Sequence, residues 1–161
     1  MKSTWVLRVV VLLAILSAGI EGGRSQTRTE DLAVVVNAST PISELSLAEV
    51  RKVFRGDRQY WSKDVPVVLL IRAPRSRERD VILKTLYEMS EAQFKQYWIA
   101  KIFRAEATAA PKIVYSNDMA KELVTVIPGA IAFLPESEVT DGLKVVKING
   151  RMPGERGYPL K

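Results

Sequence analysis

"LAVVVNASTPISELSLAEVRKVFRG", Leu32 to Gly56, changes its hydrophobic period once, and that change sets the fold class. Leu32–Asn37 is a continuous, valine-rich apolar run, the pattern of a strand buried on both faces. Asn37-Ala-Ser-Thr-Pro supplies a turn. Ser46-Leu-Ala-Glu49 then has the spacing of a capping box, with the serine hydroxyl accepting from an exposed helix amide while the glutamate reaches back. Leu47, Val50 and Phe54 recur at helical spacing, and Gly56 suits the left-handed residue that closes a helix. A buried strand followed by an amphipathic helix is one βα unit.

The same alternation continues outward. "PVVLLI" (Pro66–Ile71) reads as a second apolar strand and runs straight into "RAPRSRERD". Beyond Ser76 the residues Ile82, Leu83, Leu86 and Tyr87 form one apolar stripe. Ser90-Glu-Ala-Gln93 repeats the capping signature and opens a helix on which Phe94, Trp98 and Ile102, with Tyr97 beside them, predict a broad buried face. "KIVY" (Lys112–Tyr115) predicts a third strand, and Ser116-Asn117 caps a helix carrying Met119, Leu123, Val124 and Ile127. Pro128-Gly129 ends that helix, "AIAFL" (Ala130–Leu134) predicts a fourth strand, and Leu143–Ile148 a fifth whose alternating lysines suggest an edge. From Asn149 to Lys161 glycine, proline and charge predict a loose, flexible tail. Strands alternating with helices imply an α/β domain over residues 32–148, a mixed and mostly parallel sheet of about five strands flanked by helices.

Composition narrows the function. The chain has 161 residues, a formal charge of +6, and neither cysteine nor histidine. Disulfides, thiolate metal sites and a cysteine nucleophile are excluded, and the commonest general base and metal ligand is missing. Met1, Lys2 and Arg8 precede an apolar run from Val9 to Leu16 and the small residues Ser17, Ala18 and Gly19, the order of a secretory signal peptide. Residues 1–24 are read as that signal, cleaved between Ala18 and Ser25; an uncleaved anchor is the alternative. Cleavage removes three cations (Lys2, Arg8, Arg24) and one anion (Glu21), so the charge falls from +6 to +4. The remaining cations are dispersed, which gives nucleic-acid binding no support.

In α/β sheets ligands sit beyond the carboxyl ends of the strands, where helix amides are free. Two loops there carry a serine at a helix start, Arg72–Glu78 and Ser116–Asp118. Arg72, Arg75, Ser76 and Arg77 combine guanidinium forks with a hydroxyl and suit phosphate or a carboxylate, although Glu78 in the first turn would itself satisfy the helix. Ser116 is a second candidate that capping alone also explains. Ser39 and Thr40 follow the first strand and are candidate donors, equally accounted for by a turn before Pro41. Carboxylate pairs at Glu78/Asp80 and Glu136/Glu138 have no histidine, cysteine or suitably spaced serine and lysine to serve. There is no glycine-rich nucleotide loop, so an enzyme is the weakest reading and no cofactor or metal is expected.

The order of segments resembles the phosphate-type periplasmic substrate-binding proteins of ABC transporters. The similarity covers roughly Leu32 to Ile148, and its most specific pieces are Val53-Phe54-Arg55-Gly56, Trp61, Arg72 and Pro128-Gly129-Ala130-Ile131. It implies one lobe of the type II periplasmic binding fold and a periplasmic protein that binds phosphate or another small oxyanion. The implied partners are a transporter permease or a second lobe. The family's anion loop reads Arg-x-x-Gly-Ser-Gly-Thr; here Arg72 and Ser76 keep the arginine and the serine. Arg75 and Arg77 replace the glycines and Glu78 the threonine. Those replacements motivate the alternative of an interaction module that keeps the fold without the ligand.

Overall fold

The computed structural model describes residues 29–161, so the expected signal segment lies outside the described residues. Strand β1 is Leu32–Asn37 and the short β2 is Glu44–Leu45, followed by helix α1, Leu47–Phe54. A small hairpin, β3 (Tyr60–Ser62) with β4 (Val65–Pro66), leads into β5, Val68–Arg72. Helix α2, Arg77–Ile82, widens into a π-helical turn over Leu83–Tyr87, and α3 is Glu91–Phe103. Strand β6 (Lys112–Val114), helix α4 (Asn117–Val126), β7 (Ala130–Pro135) and β8 (Leu143–Ile148) complete the order. Among the described residues no helix is long and apolar enough to cross a membrane.

Six strands form the main sheet in the order β2-β8-β1-β7-β5-β6. Strand β1 pairs antiparallel with both β7 and β8, whereas β5 is parallel to β7 and to β6, and β2 is parallel to β8. Thus β1 alone runs against the other five, and the sheet is mixed and mostly parallel as expected. The count exceeds five because two-residue β2, too short to show a period, pairs Leu45 with Ile148. That pairing corrects the expectation for β8, which lies inside the sheet; Lys144 precedes the two residues that β2 covers, and Lys147, opposite Glu44, keeps its side chain exposed.

Alternation along the central strands divides the core. Val34, Val36, Ile71, Ile131 and Phe133 face α1, α2 and α3, where Phe54 meets Phe133 at a ring-centroid distance of 4.4 Å. Ala33, Val35, Leu70, Ala132 and Leu134 face Ala120 and Val124 of α4. All six residues of β1 are buried, which is why no polar residue interrupts its apolar run. Both capping boxes are formed, Ser46 with Glu49 and Ser90 with Gln93.

Two expectations fail for identifiable reasons. On α3 the buried stripe is Phe94, Trp98 and Lys101, while Ile102 is 42% exposed. Successive steps of four overshoot the helical repeat by about 40° each, so the third position rotates off the core and the residue seven along replaces it. Lys101 is accepted there because its ammonium pairs with Asp57 and its neighbour Tyr97. The tail is also not loose. Tyr158 and Leu160 are buried, Leu32 donates to the Leu160 carbonyl at 2.8 Å, and the Tyr158 hydroxyl donates to the Leu32 carbonyl at 2.8 Å. Two apolar side chains anchor a segment whose glycine and proline content suggested none.

The motif around Gly129 has a direct structural cause. Gly129 has φ +78°, and a Cβ there would fall 2.0 Å from the Pro66 carbonyl oxygen. Only glycine permits that approach, and its own carbonyl accepts from the Trp61 indole at 2.9 Å. The resemblance motifs Trp61 and Pro128-Gly129 therefore meet at one packing contact.

Candidate functional site

Strand β5 delivers Arg72 to the carboxyl end of the sheet, beside the ends of β6 and β7. The next residues turn sharply: Ala73 donates to the Val114 carbonyl at 2.9 Å, and Ser76 donates back to Ala73 at 3.3 Å. Arg75 holds φ +72° in this turn. That conformation favours glycine, the residue that the resembling loop carries there, and disfavours an arginine by about 1–2 kcal/mol. Ser76 then caps α2, its Oγ accepting from the Arg79 amide at 3.3 Å.

Glu78 is the residue that decides the site. Its side chain is buried, and Oε2 lies 3.6 Å from Arg72 Nε, with the two side chains only 11% and 16% exposed. Asn117 Nδ2 reaches Glu78 Oε1 at 3.4 Å and donates to Glu138 Oε1 at 2.9 Å. The space bounded by Arg72, Glu78, Val114 and Phe133 leaves no room for a water-sized molecule. A carboxylate of the chain itself therefore sits against the guanidinium that the sequence assigned to an anion. The geometry is imperfect, because Nε and Nη1 of Arg72 and Oδ1 of Asn117 are buried without hydrogen-bond partners.

The neighbouring arginines are committed elsewhere. Arg79, 2% exposed, forks onto Glu91 through Nε at 2.8 Å and Nη2 at 2.7 Å, and Nη1 donates to the Arg72 carbonyl at 3.0 Å. Its hydrogen bonds hold the Glu91 carboxyl below the usual range, against a smaller effect of burial. Arg77 donates to the Glu30 carbonyl. Glu30 itself is held below the usual carboxylate range chiefly by the Ser137 hydrogen bonds.

Arg72, Ser76 and Arg77 share the turn from β5 into α2, with Ser116 on the neighbouring loop, but their side chains do not converge: Arg72 faces Glu78, Ser76 caps α2 and Arg77 donates to the Glu30 carbonyl. Ser116 caps α4, its Oγ accepting from Met119 at 3.0 Å. Ser39 and Thr40 do not join them. Because β1 runs antiparallel to β7, with Val36 opposite Ile131, its carboxyl end lies at the amino ends of β5 and β7, across the sheet from Arg72. There the Ser39 hydroxyl donates to Asn37 Oδ1 at 2.6 Å in a turn, and Asn37 ties β1 to the last carbonyls of α4. Thr40 is fully buried, with Oγ1 unpartnered.

Two residues of the site carried no usable signal. Glu138 reaches Asn117 from the short 3₁₀ turn Glu136–Glu138, a contact set by tertiary packing. Arg79 read as one of several arginines on a helix, and only its fork onto Glu91 identifies it as the brace behind Arg72. Among the described residues no cluster of carboxylates fit to hold a metal ion occurs.

No protein-family model matches the chain. Its fold does match solved structures. One is a putative phosphate ABC transporter substrate-binding protein from Clostridium perfringens with bound phosphate, at TM-score 0.61 and 22% identity over 75% of this chain and 46% of that one. Another is an ABC-type phosphate transport receptor from Vibrio cholerae, at 0.62 and 21% over 77% and 48%. A third is PstS from Borrelia burgdorferi, at 0.58 and 18% over 77% and 49%. The chain spans about half the length of each. The fold is that of one lobe of the phosphate-type substrate-binding architecture, as the sequence resemblance implied.

Proposed function

We propose that this chain is an exported relative of the phosphate ABC transporter substrate-binding proteins, matching one lobe of them, whose anion pocket is kept shut by its own Glu78. It works in the periplasm, without catalysis, through a protein partner of the transport system such as a permease or a complementary lobe. The observation that carries this reading is the buried Glu78 carboxylate 3.6 Å from Arg72, in a space with no room for another molecule. A tethered carboxylate neutralises the guanidinium, so a free oxyanion must expel it before binding.

One observation favours a second reading, direct binding of phosphate or a similar small anion at Arg72, Ser76, Arg77 and Ser116. Arg72 keeps two buried nitrogens without hydrogen-bond partners, and an oxyanion satisfies such donors better than a carboxylate at ion-pair distance. Calorimetric titration of the chain with phosphate, and with sulfate as control, at low ionic strength separates the two. No saturable heat from the folded protein is the expected result. Micromolar phosphate binding, about −8 kcal/mol, that disappears in Arg72→Ala would overturn the closed-pocket reading in favour of the second.

A further inference from the structure

At the end of the sheet opposite Arg72, the amino ends of β5 and β6 border a cavity of about 260 Å³. Its apolar wall is built from Val53 of α1, Val67 and Leu69 at the start of β5, Trp98 of α3, and Ala107. Gly56 makes the close seating of the indole possible, since a Cβ there would lie 2.8 Å from Trp98 Cη2. Two cations, Arg58 and Lys112, stand among the lining residues, and no aspartate or glutamate does. Arg58 rests over the Trp61 ring at 5.2 Å and Lys112 is exposed on the edge strand; neither forms an ion pair among the described residues.

An apolar concavity with a few convergent polar groups is the general form of a small-molecule site. Here the polar groups share one sign, which selects the ligand class. An apolar cavity of about 150 Å³ accepts benzene, so this one accommodates a bicyclic or branched hydrocarbon body. Inorganic phosphate, lacking apolar surface, gains nothing from Trp98, Val53 or Leu69. We propose that this cavity is a binding site for a small amphiphilic anion, its hydrocarbon body against Trp98 and its carboxylate or sulfonate facing Arg58 and Lys112. The inference does not depend on whether the Arg72 pocket is open, because the two sites lie at opposite ends of β5.

The test titrates the full chain with indole-3-acetate and with its uncharged counterpart indole-3-acetamide, followed by backbone amide NMR shifts. Indole-3-acetate should saturate with a dissociation constant on the order of 1 mM or below, moving the amides of Gly56 and Ala107 to Lys112. The acetamide should bind about two- to fivefold more weakly, as befits exposed charge pairs. Lys112→Ala and Arg58→Ala should each weaken the acetate by a similar factor and leave the acetamide unchanged. Ala110→Trp, at an exposed lining position, should abolish both, whereas Arg72→Ala should alter neither. Equal affinity for the two probes, or shifts confined to the exposed Ile99 and Phe103 of α3, would overturn the proposal.

Discussion

Replacing Glu78 by glutamine keeps the side chain's shape and removes only its charge, so it isolates what the carboxylate does for Arg72. At 3.6 Å and an effective dielectric of about 20, the pair attraction is about 4–5 kcal/mol. Retained hydrogen bonding and the residual solvent contact of both side chains reduce this, and leaving a largely buried guanidinium unpaired should cost about 2–4 kcal/mol. For a domain of this size, about 1 kcal/mol moves the melting temperature by roughly 4 °C. Glu78→Gln should therefore melt about 8–16 °C below the parent. Glutamine fills the same space but pairs with no charge, so phosphate can displace it from Arg72 at lower cost and should restore stability: at a hundredfold excess over its dissociation constant, a ligand adds about 2.7 kcal/mol. Thermal melts followed by circular dichroism, with and without phosphate and with sulfate at matched ionic strength, read both effects. The parent should not respond to phosphate. If Glu78→Gln melts with the parent and ignores phosphate, Glu78 does not neutralise Arg72 and the closed-pocket argument fails.

Arg75 occupies left-handed backbone, so Arg75→Gly should raise the urea midpoint. The relief of about 1–2 kcal/mol exceeds the entropy glycine adds to the unfolded chain, about 0.4–1 kcal/mol. Leu160→Ala should destabilise by about 2–5 kcal/mol in the same assay, since Leu160 is fully buried and its loss leaves a cavity beside β1. Glu91 has a lowered carboxyl pKa through Arg79, so its contribution is complete above the unfolded value of about 4.3 and is lost as pH falls through the lower folded value. Urea melts between pH 6 and pH 3 should show the parent losing more stability over that acid interval than Glu91→Gln.

The helices and central strands were legible because each is specified locally. The valine run of β1 and the two capping boxes need no tertiary information, and all three are present where expected. Strand direction is different in kind. Nothing within Leu32–Asn37 states that β1 runs against its neighbours, and that orientation carries Ser39 and Thr40 to the wrong end of the sheet for Arg72. The tail misleads for a related reason: Tyr158 and Leu160 form no periodic pattern, and their burial depends on the Leu32 backbone more than a hundred residues earlier. Arg72, Ser76 and Glu78 could be placed together because they share one strand-to-helix turn. The Asn117 and Glu138 contacts that complete the network come from two further elements and have no local signature.

The replacements in this loop reinforce one another. Arg75 and Arg77 stand where the resembling loop has glycines, and side chains there limit how closely backbone amides approach an oxyanion. Weakening that approach alone would leave Arg72 buried with no counter-charge, which a low-dielectric site tolerates poorly. Glu78 supplies the counter-charge from the first turn of α2, six residues along the chain, so it is present at high effective concentration and loses no translational freedom on pairing. A free anion has neither advantage, and any water it meets screens each contact. An internal carboxylate is thus the better ligand for Arg72. With the Asn117 contact to Glu78, the Arg72–Glu78 pair forms a fixed strut between β5, α2 and α4.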